Sequence, residues 1–372
     1  MVGKEEVKSA RLASIDVLRG FDMAFIMGGW QLLSALWLAC GGTAETGLAA
    51  QMTHVPWDGF HFIDWIAPLF LFITGVSFPF SCAGQVKRGL TKGRMALRTM
   101  KRGAVLFMLG AICSGFFTSF DIHYGSILGR IGIAWAIAAL GYVFLKPRVR
   151  WTVWGLGFVA YALLMCLVQA PDHPEASVFS QAGNISGYLD RTVFPRKFLA
   201  GGGLYLSQGM LATVLAVPAM VALGMFGGDV LRRPEWTGNR RAAVLFGLGG
   251  ALLCAGLLLG RVVPVNKTLW SPSYQLLAGG LSLMALAGFY WLINVVGWWR
   301  RTLFFRVIGL NAIFIYVAQR IIPFETVADF FCGGLAAQVP ANWAGVVHWA
   351  GYVAVCWLTL LWLHRRNAYF KV

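Results

Sequence analysis

Apolar residues dominate this chain in runs of about 20, and short polar stretches separate the runs. A helix rises 1.5 Å per residue, so about 20 apolar residues span the hydrocarbon core of a bilayer. The pattern predicts an all-α polytopic membrane protein that forms one domain, 1–372, with about ten transmembrane helices. The predicted spans are 15–40, 61–82, 102–119, 126–145, 151–169, 207–229, 242–260, 274–296, 303–322 and 345–363.

Composition supports this class. The chain is 58% hydrophobic and 12% charged, whereas soluble domains are about 25% charged, so a soluble enzyme is excluded. The seven cysteines lie singly, without the spacing of a metal ribbon or a disulfide framework, and we interpret them as packing residues.

The basic residues predict an orientation. The chain holds 31 Lys and Arg against 15 Asp and Glu, a formal charge of +16. Alternate loops between the predicted spans hold 22 of these cations, and the loops on the other side hold 5. By the positive-inside rule both termini are predicted to be cytoplasmic. Most of the positive charge therefore reports topology, and it does not indicate a nucleic-acid partner.

One polar cluster lies at the inner end of the first predicted span. Asp16, Arg19 and Asp22 are three residues apart and share a broad helical face. They fit either a salt-bridged helix entry or a site for a phosphorylated cytoplasmic ligand. In the second interpretation, Arg19 acts with the basic segment 87–102, which includes Arg88 and Arg102.

A second cluster precedes the second span on the predicted outer side. His54, Asp58, His61 and Asp64 follow one another at intervals of four, three and three, and an intervening Pro and Gly predict that His54 lies in a loop. Three interpretations stay open: an interfacial histidine, a metal ligand, or a catalytic base or nucleophile. In the third, Asp58 or Asp64 orients His54 and Trp57 partly desolvates it.

Further polar side chains on the predicted outer side are of the types that hold a sugar. They offer guanidinium, amide, ammonium, indole and hydroxyl groups, and each also has a structural explanation such as snorkelling or interhelical hydrogen bonding. These candidate substrate-binding residues are Trp57, Arg130, Asn266, Lys267, Trp270, Tyr274 and Asn311.

Several motifs resemble those of one family, in order along the whole chain. They are Arg11-x-x-Ser-x-Asp16-x-x-Arg19-Gly20, His54-x-x-Trp57-x-Gly59, Asp64-x-x-x-Pro68-x-Phe70-Leu71-Phe72, Asn266-Lys267-x-Leu-Trp270-x-x-Ser273-Tyr274 and Gly309-Leu-Asn311. The chain resembles the bacterial relatives of heparan-α-glucosaminide N-acetyltransferase, a transmembrane enzyme that acetylates terminal glucosamine.

The resemblance implies a ten- or eleven-helix acetyltransferase in the bacterial inner membrane. It would take acetyl-CoA from the cytoplasm and an amino sugar or glycan acceptor from the other side, without a metal. His54 matches the proposed catalytic histidine, and Arg19, Arg88 and Arg102 would hold the CoA phosphates. Relatives also suggest a homodimer. Where relatives of the animal enzyme have an asparagine thought to assist catalysis, this chain has Trp30.

Two other functions fit part of the pattern. An O-acyltransferase of a cell-envelope glycan is one, because related membrane acyltransferases share a similar Asp-x-x-Arg-Gly opening. A sugar transporter is the other, but the sequence shows no internal repeat, and the His54, Trp57 and Asp64 signature favours an enzyme.

Overall fold

The computed structural model describes residues 12–115, 126–207 and 209–370, and within these ranges the protein is all-helical, without a β-strand. The helices are α1 Ala13–Ala24, α2 Trp30–Ala39, α3 Gly47–Gln51, α4 Phe62–Lys87, α5 Lys92–Cys113, α6 Ile127–Phe144, α7 Pro147–Leu167, α8 Ile185–Val193, α9 Val217–Leu231, α10 Gly238–Leu259, α11 Pro272–Tyr290, α12 Leu303–Leu310, α13 Ala312–Ile321, α14 Phe324–Ala336 and α15 Ala341–Arg365. Short π-helical segments join α1 to α2, precede α9 and follow α11.

The fold confirms a polytopic membrane protein. In the described part of the chain, eight helical segments are long and apolar enough to cross a bilayer, and the bent pair α12–α13 brings the number to nine. The remaining predicted span, 102–119, corresponds to α5, which begins ten residues earlier, at Lys92. The added turns carry several Lys and Arg residues, so α5 is less apolar than the others. The end of that prediction, 116–119, lies outside the described residues.

Close glycine contacts hold the central helices together. A Cβ added to Gly20 of α1 would lie 1.7 Å from the Phe305 carbonyl oxygen of α12, and one added to Gly309 would lie 1.8 Å from that of Asp16. Gly75 of α4 and Gly224 of α9 approach each other's helices in the same way. Small residues let the backbones approach closely, which is how helices associate in lipid. The arrangement fixes α1 against α12 and α4 against α9.

Two spans predicted as continuous helices are broken in the structure. The helix 15–40 changes at a π-helical segment, Phe25–Gly29, where Gly28 has a φ of 104°. The helix 303–322 bends by 72° at Asn311. A helix can break at membrane depth where other protein groups form hydrogen bonds with the backbone N–H and C=O groups that the break leaves unpaired. Hydropathy does not detect such a break, because the run of apolar residues continues through it.

The segment 170–206, which joins α7 to the region before α9, contains the helix α8 and its own hydrogen bonds. Arg191 makes a bidentate ion pair with Asp172. Asp190 accepts hydrogen bonds from the backbone N–H groups of Leu206 and Met210. Asn184, in a glycosylation sequon, is fully buried and caps α8, so the folded chain presents no glycan acceptor there.

Candidate active site

A loop between α3 and α4 carries His54, as its proline and glycine predict. Gly59 has a φ of 129°, a conformation that L side chains rarely adopt. Its N–H donates a hydrogen bond to the Val265 carbonyl oxygen at 2.9 Å. That contact ties the His54 loop to the segment that precedes α11, which contains Asn266 and Lys267.

His54 makes its hydrogen bond with Asp64. The Nδ1 atom of His54 lies 2.8 Å from Oδ1 of Asp64, in the first turn of α4. The Asp64 side chain is 1% exposed and that of His54 is 60% exposed. An ionised carboxylate only accepts hydrogen bonds, so this contact assigns the proton to Nδ1 and leaves Nε2 as the basic nitrogen. Histidine and aspartate therefore form an oriented pair with an accessible basic end.

Lys267, from the segment that precedes α11, contacts both members of this pair. Its Nζ lies 3.2 Å from Oδ1 of Asp64 and 2.9 Å from Nδ1 of His54. Since Nδ1 donates to Asp64, the ammonium is bound by the carboxylate and lies beside the ring. Burial lowers the pKa of Lys267 below that of an ordinary lysine, and the charge of Asp64 offsets part of the shift. One carboxylate thus serves both a cation and a histidine.

Residues of the 266–274 segment hold this cluster in place. The Tyr274 hydroxyl donates a hydrogen bond to the Asp64 carbonyl oxygen at 2.8 Å. Oδ1 of Asn266 accepts a hydrogen bond from the Leu269 N–H at 2.8 Å, and Trp270 packs edge-on against Tyr274. Three of the predicted acceptor-binding residues therefore also support the site structurally.

Arg130 lies buried near this cluster, in the first turns of α6. Its Nε donates a hydrogen bond to Thr213 at 3.1 Å, and its guanidinium lies 5.2 Å from the Trp270 ring centroid. In the described part of the chain, neither Nη2 of Arg130 nor Nδ2 of Asn266 has a hydrogen-bond partner, although both are buried. Two donors are thus available to a ligand that offers oxygen acceptors.

Trp57 and Asp58 differ in their environment. The indole N–H of Trp57 donates a hydrogen bond to the Phe179 carbonyl oxygen at 2.8 Å, and its ring contacts Tyr205, so the 170–206 segment packs on the His54 loop. Asp58 is exposed and does not bond to His54. Of the two carboxylates predicted to orient His54, the structure places Asp64 against it.

The polar cluster around Arg19 lies farther along α4 than Asp64 does. Arg19 contacts Asp16 at 3.3 Å and donates a hydrogen bond to Ser77 at 2.8 Å. Ser77 follows Asp64 by thirteen residues, about 20 Å of helix. Arg102 lies over the Trp135 ring at 4.6 Å, and Arg88 is exposed at the end of α4. These arginines therefore lie toward the end of α4 opposite His54.

Asn311 does not join the outer cluster. Its side-chain amide donates to the Ala368 carbonyl oxygen and accepts from the Phe370 N–H, both at 3.0 Å. It follows Gly309, which contacts the α1 backbone at Asp16, so it lies near the Arg19 end. The prediction that Asn311 binds the acceptor has no geometric support, because its amide holds the C-terminal segment at the break between α12 and α13.

Sequence reasoning missed two residues that shape the site. Thr213 accepts the hydrogen bond that orients Arg130, and the Tyr161 hydroxyl donates to the Leu269 carbonyl oxygen. Both lie in apolar runs without a motif, so the sequence alone gave no signal for them. No group of three His, Cys, Asp or Glu residues suited to a metal ion occurs among the described residues.

Two mammalian proteins of the same name are similar to this chain in sequence. Human heparan-α-glucosaminide N-acetyltransferase is 25% identical to this chain over 84% of this chain's length. The mouse protein of the same name is 23% identical over the same share of this chain. The chain is a distant relative of heparan-α-glucosaminide N-acetyltransferase. This homology confirms the resemblance of the motifs to those of heparan-α-glucosaminide N-acetyltransferase. No protein-family model matches the chain.

The similarity covers only part of each relative. The chain spans about half the length of the curated relatives it matches, 53% of the human and 54% of the mouse heparan-α-glucosaminide N-acetyltransferase.

Proposed function

We propose that the protein is a membrane acetyltransferase that moves an acetyl group from cytoplasmic acetyl-CoA to the amine of an amino sugar on the outer side. The observation that carries the proposal is the His54–Asp64–Lys267 cluster, found in a distant relative of heparan-α-glucosaminide N-acetyltransferase. Amine acylation needs a base, and an oriented histidine whose Nε2 carries no proton is suited to that role. Glucosamine and terminal glucosaminides are the acceptors to test first.

His54 has two balanced routes to the product. As a base, Nε2 takes a proton from the substrate ammonium, the free amine attacks the thioester carbonyl, and the C–S bond breaks. The imidazolium gives its proton to the leaving thiolate, and the second proton that the nitrogen loses goes to water. As a carrier, Nε2 itself attacks the thioester, the C–S bond breaks, and CoA leaves as the thiolate. The free amine then attacks the acetyl group, the bond from that group to Nε2 breaks, and the two protons lost by the substrate ammonium go to the thiolate and to water. In both routes Asp64 holds the ring and stabilises its positive charge.

The remaining side chains fit roles in binding. Arg130 and Asn266 offer buried donors to acceptor oxygens, and Trp57 and Trp270 offer ring faces of the kind that pack against sugars. At the other end of α4, Arg19, Arg88 and Arg102 supply positive charge for the CoA phosphates. The two clusters thus fit a donor and an acceptor that enter from opposite ends of the bundle.

The test is acetyl transfer from radiolabelled acetyl-CoA to glucosamine by the purified chain in proteoliposomes. We expect His54→Ala to lower kcat by at least about 100-fold. The matched control is His173→Ala, which removes another histidine, from the 170–206 segment. Full activity of His54→Ala would exclude the histidine role.

Acceptor profiling separates the proposal from the other two functions. Transfer to glucosamine but not to N-acetylglucosamine or glucose supports N-acetylation, whereas transfer to all three indicates an O-acyltransferase. Counterflow of labelled sugar without acetyl-CoA, and without acetylated product, would favour a transporter and contradict the proposal.

A further inference from the structure

A buried carboxylate lies between the two clusters. Asp22 of α1 has no exposed surface, and neither of its carboxylate oxygens has a hydrogen-bond partner in the described part of the chain. Buried carboxylates in proteins are normally paired or hydrogen-bonded, because leaving them unpaired is costly. In a membrane span an ionisable side chain of this kind marks a functional position by default.

Its position along α1 is intermediate between the two ends of the site. Three residues before it, Arg19 donates a hydrogen bond to Ser77 of α4; three residues after it, the Phe25 ring contacts Phe62, 4.8 Å between centroids, at the start of α4. Residues three apart lie on one helical face, so Asp22 is at the middle of the face that these contacts define. Asp22 thus lies between the level of the Arg19 cluster and that of Asp64.

The missing partner must be a hydrogen-bond donor. In the proposed function the CoA phosphates bind near Arg19 while the thioester reaches His54, so the pantetheine arm crosses the region between them. That arm carries two secondary amides and one hydroxyl group, separated by apolar carbons. Its two amide N–H groups are spread along its length, and an amide N–H is a donor from which a carboxylate without a partner accepts a hydrogen bond.

We propose that Asp22 binds the pantetheine arm of acetyl-CoA by accepting a hydrogen bond from one of its amide N–H groups. The inference rests on the proposed function, and it assigns Asp22 to donor binding, with no part in the chemical step. It predicts that affinity gained from the arm depends on Asp22, while affinity gained from the phosphates does not.

Two ligands separate these contributions. Adenosine 3′,5′-bisphosphate carries the nucleotide phosphates without the arm, and CoA carries both. Calorimetric titration of the purified full chain should show that Asp22→Leu weakens CoA binding by about tenfold or more and leaves the bisphosphate affinity unchanged. Asp22→Asn, which keeps one carbonyl oxygen, should show a smaller loss. The control is Asp329→Asn, an exposed carboxylate paired with His348, which should alter neither affinity.

Stability distinguishes binding from a structural role. Since neither carboxylate oxygen of Asp22 accepts a hydrogen bond from a described residue, Asp22→Leu should keep or raise the Tm of the ligand-free protein. A lower Tm with equal losses for both ligands would assign Asp22 to the structure and overturn the inference. In kinetics, KM for acetyl-CoA should rise while KM for the amino sugar stays constant, and the reverse pattern would assign Asp22 to the acceptor.

Failure of the inference can be told from failure of the proposed function. A wild-type protein that binds no CoA and transfers no acetyl group contradicts the function itself. A wild-type protein that does both, with Asp22→Leu and Asp22→Asn indistinguishable from it, contradicts only the assignment of Asp22.

Discussion

At the scale of single residues, the site depends on one carboxylate that binds two side chains. Asp64 holds the His54 ring and also binds the Lys267 ammonium, and its own carbonyl oxygen accepts the Tyr274 hydrogen bond. The sequence identified these side chains through a motif, but spacing alone could not decide between Asp58 and Asp64. The turn at Gly59 determines which carboxylate pairs with His54. Residues in this loop do not have helical spacing, so Asp58 is exposed and Asp64 reaches the ring.

We expect Asp64→Asn to lower kcat by about 10²–10⁴-fold, because an amide can present an N–H to Nδ1 and favour the wrong tautomer of His54. Asp58→Asn removes a neighbouring carboxylate of equal charge and should leave kcat within about twofold of wild type. Steady-state acetyl transfer in proteoliposomes measures both. Equal losses in the two variants would mean that the pairing of His54 with Asp64 does not govern the reaction.

Lys267 predicts how activity changes at high pH. Its lowered pKa means that the ammonium loses its proton at a lower pH than an ordinary lysine, whose pKa is about 10.4. Above that pH Asp64 loses its cation, so kcat/KM should fall as pH rises, beginning below the usual lysine range. In Lys267→Arg the charge persists, so the alkaline decline should move to higher pH. An unchanged decline in that variant would assign it to another group.

At the scale of elements, the features that hydropathy did not predict are breaks within the membrane-spanning helices. The sequence predicted the order of the apolar segments, and eight of the ten, or nine with the bent pair α12–α13, are long and apolar enough to cross a bilayer. Helix α5 is the exception, because its first turns carry Lys and Arg. It could not predict the π-helical segment after α1 or the bend at Asn311, since each depends on contacts from distant parts of the chain. The amide of Asn311 is a case in point, as both of its bonds go to residues near 370.

Asn311→Ala should therefore affect stability and leave acceptor binding unchanged. Loss of two hydrogen bonds leaves the Ala368 carbonyl and the Phe370 N–H without their partner, at a cost of about 1–3 kcal/mol. We expect a lower Tm and faster proteolysis of the C-terminal segment, with KM for the amino sugar unchanged. A raised acceptor KM at constant Tm would instead restore Asn311 to the acceptor site.

The glycine contact between α1 and α12 gives a second prediction for the elements. Gly20→Ala would place a Cβ 1.7 Å from the Phe305 carbonyl oxygen, so the helices must separate, and we expect a loss of more than about 2 kcal/mol or failure to accumulate. The matched control is Gly247→Ala in α10, where no atom lies within 4 Å of the added Cβ. Thermal unfolding in detergent compares them, and equal Tm values would contradict the close packing.

At the scale of the whole molecule, the proposed transfer requires that the helical bundle place the two clusters on opposite sides of the membrane. Loop charges predict that arrangement, and α4 joins the clusters, with Asp64 in its first turn and Arg88 just beyond its last. In that arrangement, the polar residues of α1 follow one another from the cytoplasmic side outward, from Arg19 to Asp22 and toward His54. The sequence supplied the charges and the motifs, whereas the contact of Arg19 with Ser77, about 20 Å along α4 from Asp64, required the fold.

Sidedness can be measured directly with single cysteines. In a background where the seven native cysteines are replaced, Asp58→Cys and Arg88→Cys would each place one thiol at an exposed position, near His54 and at the end of α4 respectively. Since the positive-inside rule puts Arg88 in the cytoplasm, a membrane-impermeant maleimide should label Asp58→Cys in right-side-out vesicles and Arg88→Cys only in inverted ones. Labelling of both thiols from one side would mean that the clusters share a compartment. Acetyl transfer would then have no membrane to cross, and the donor and acceptor would have to meet at a single face of the bundle.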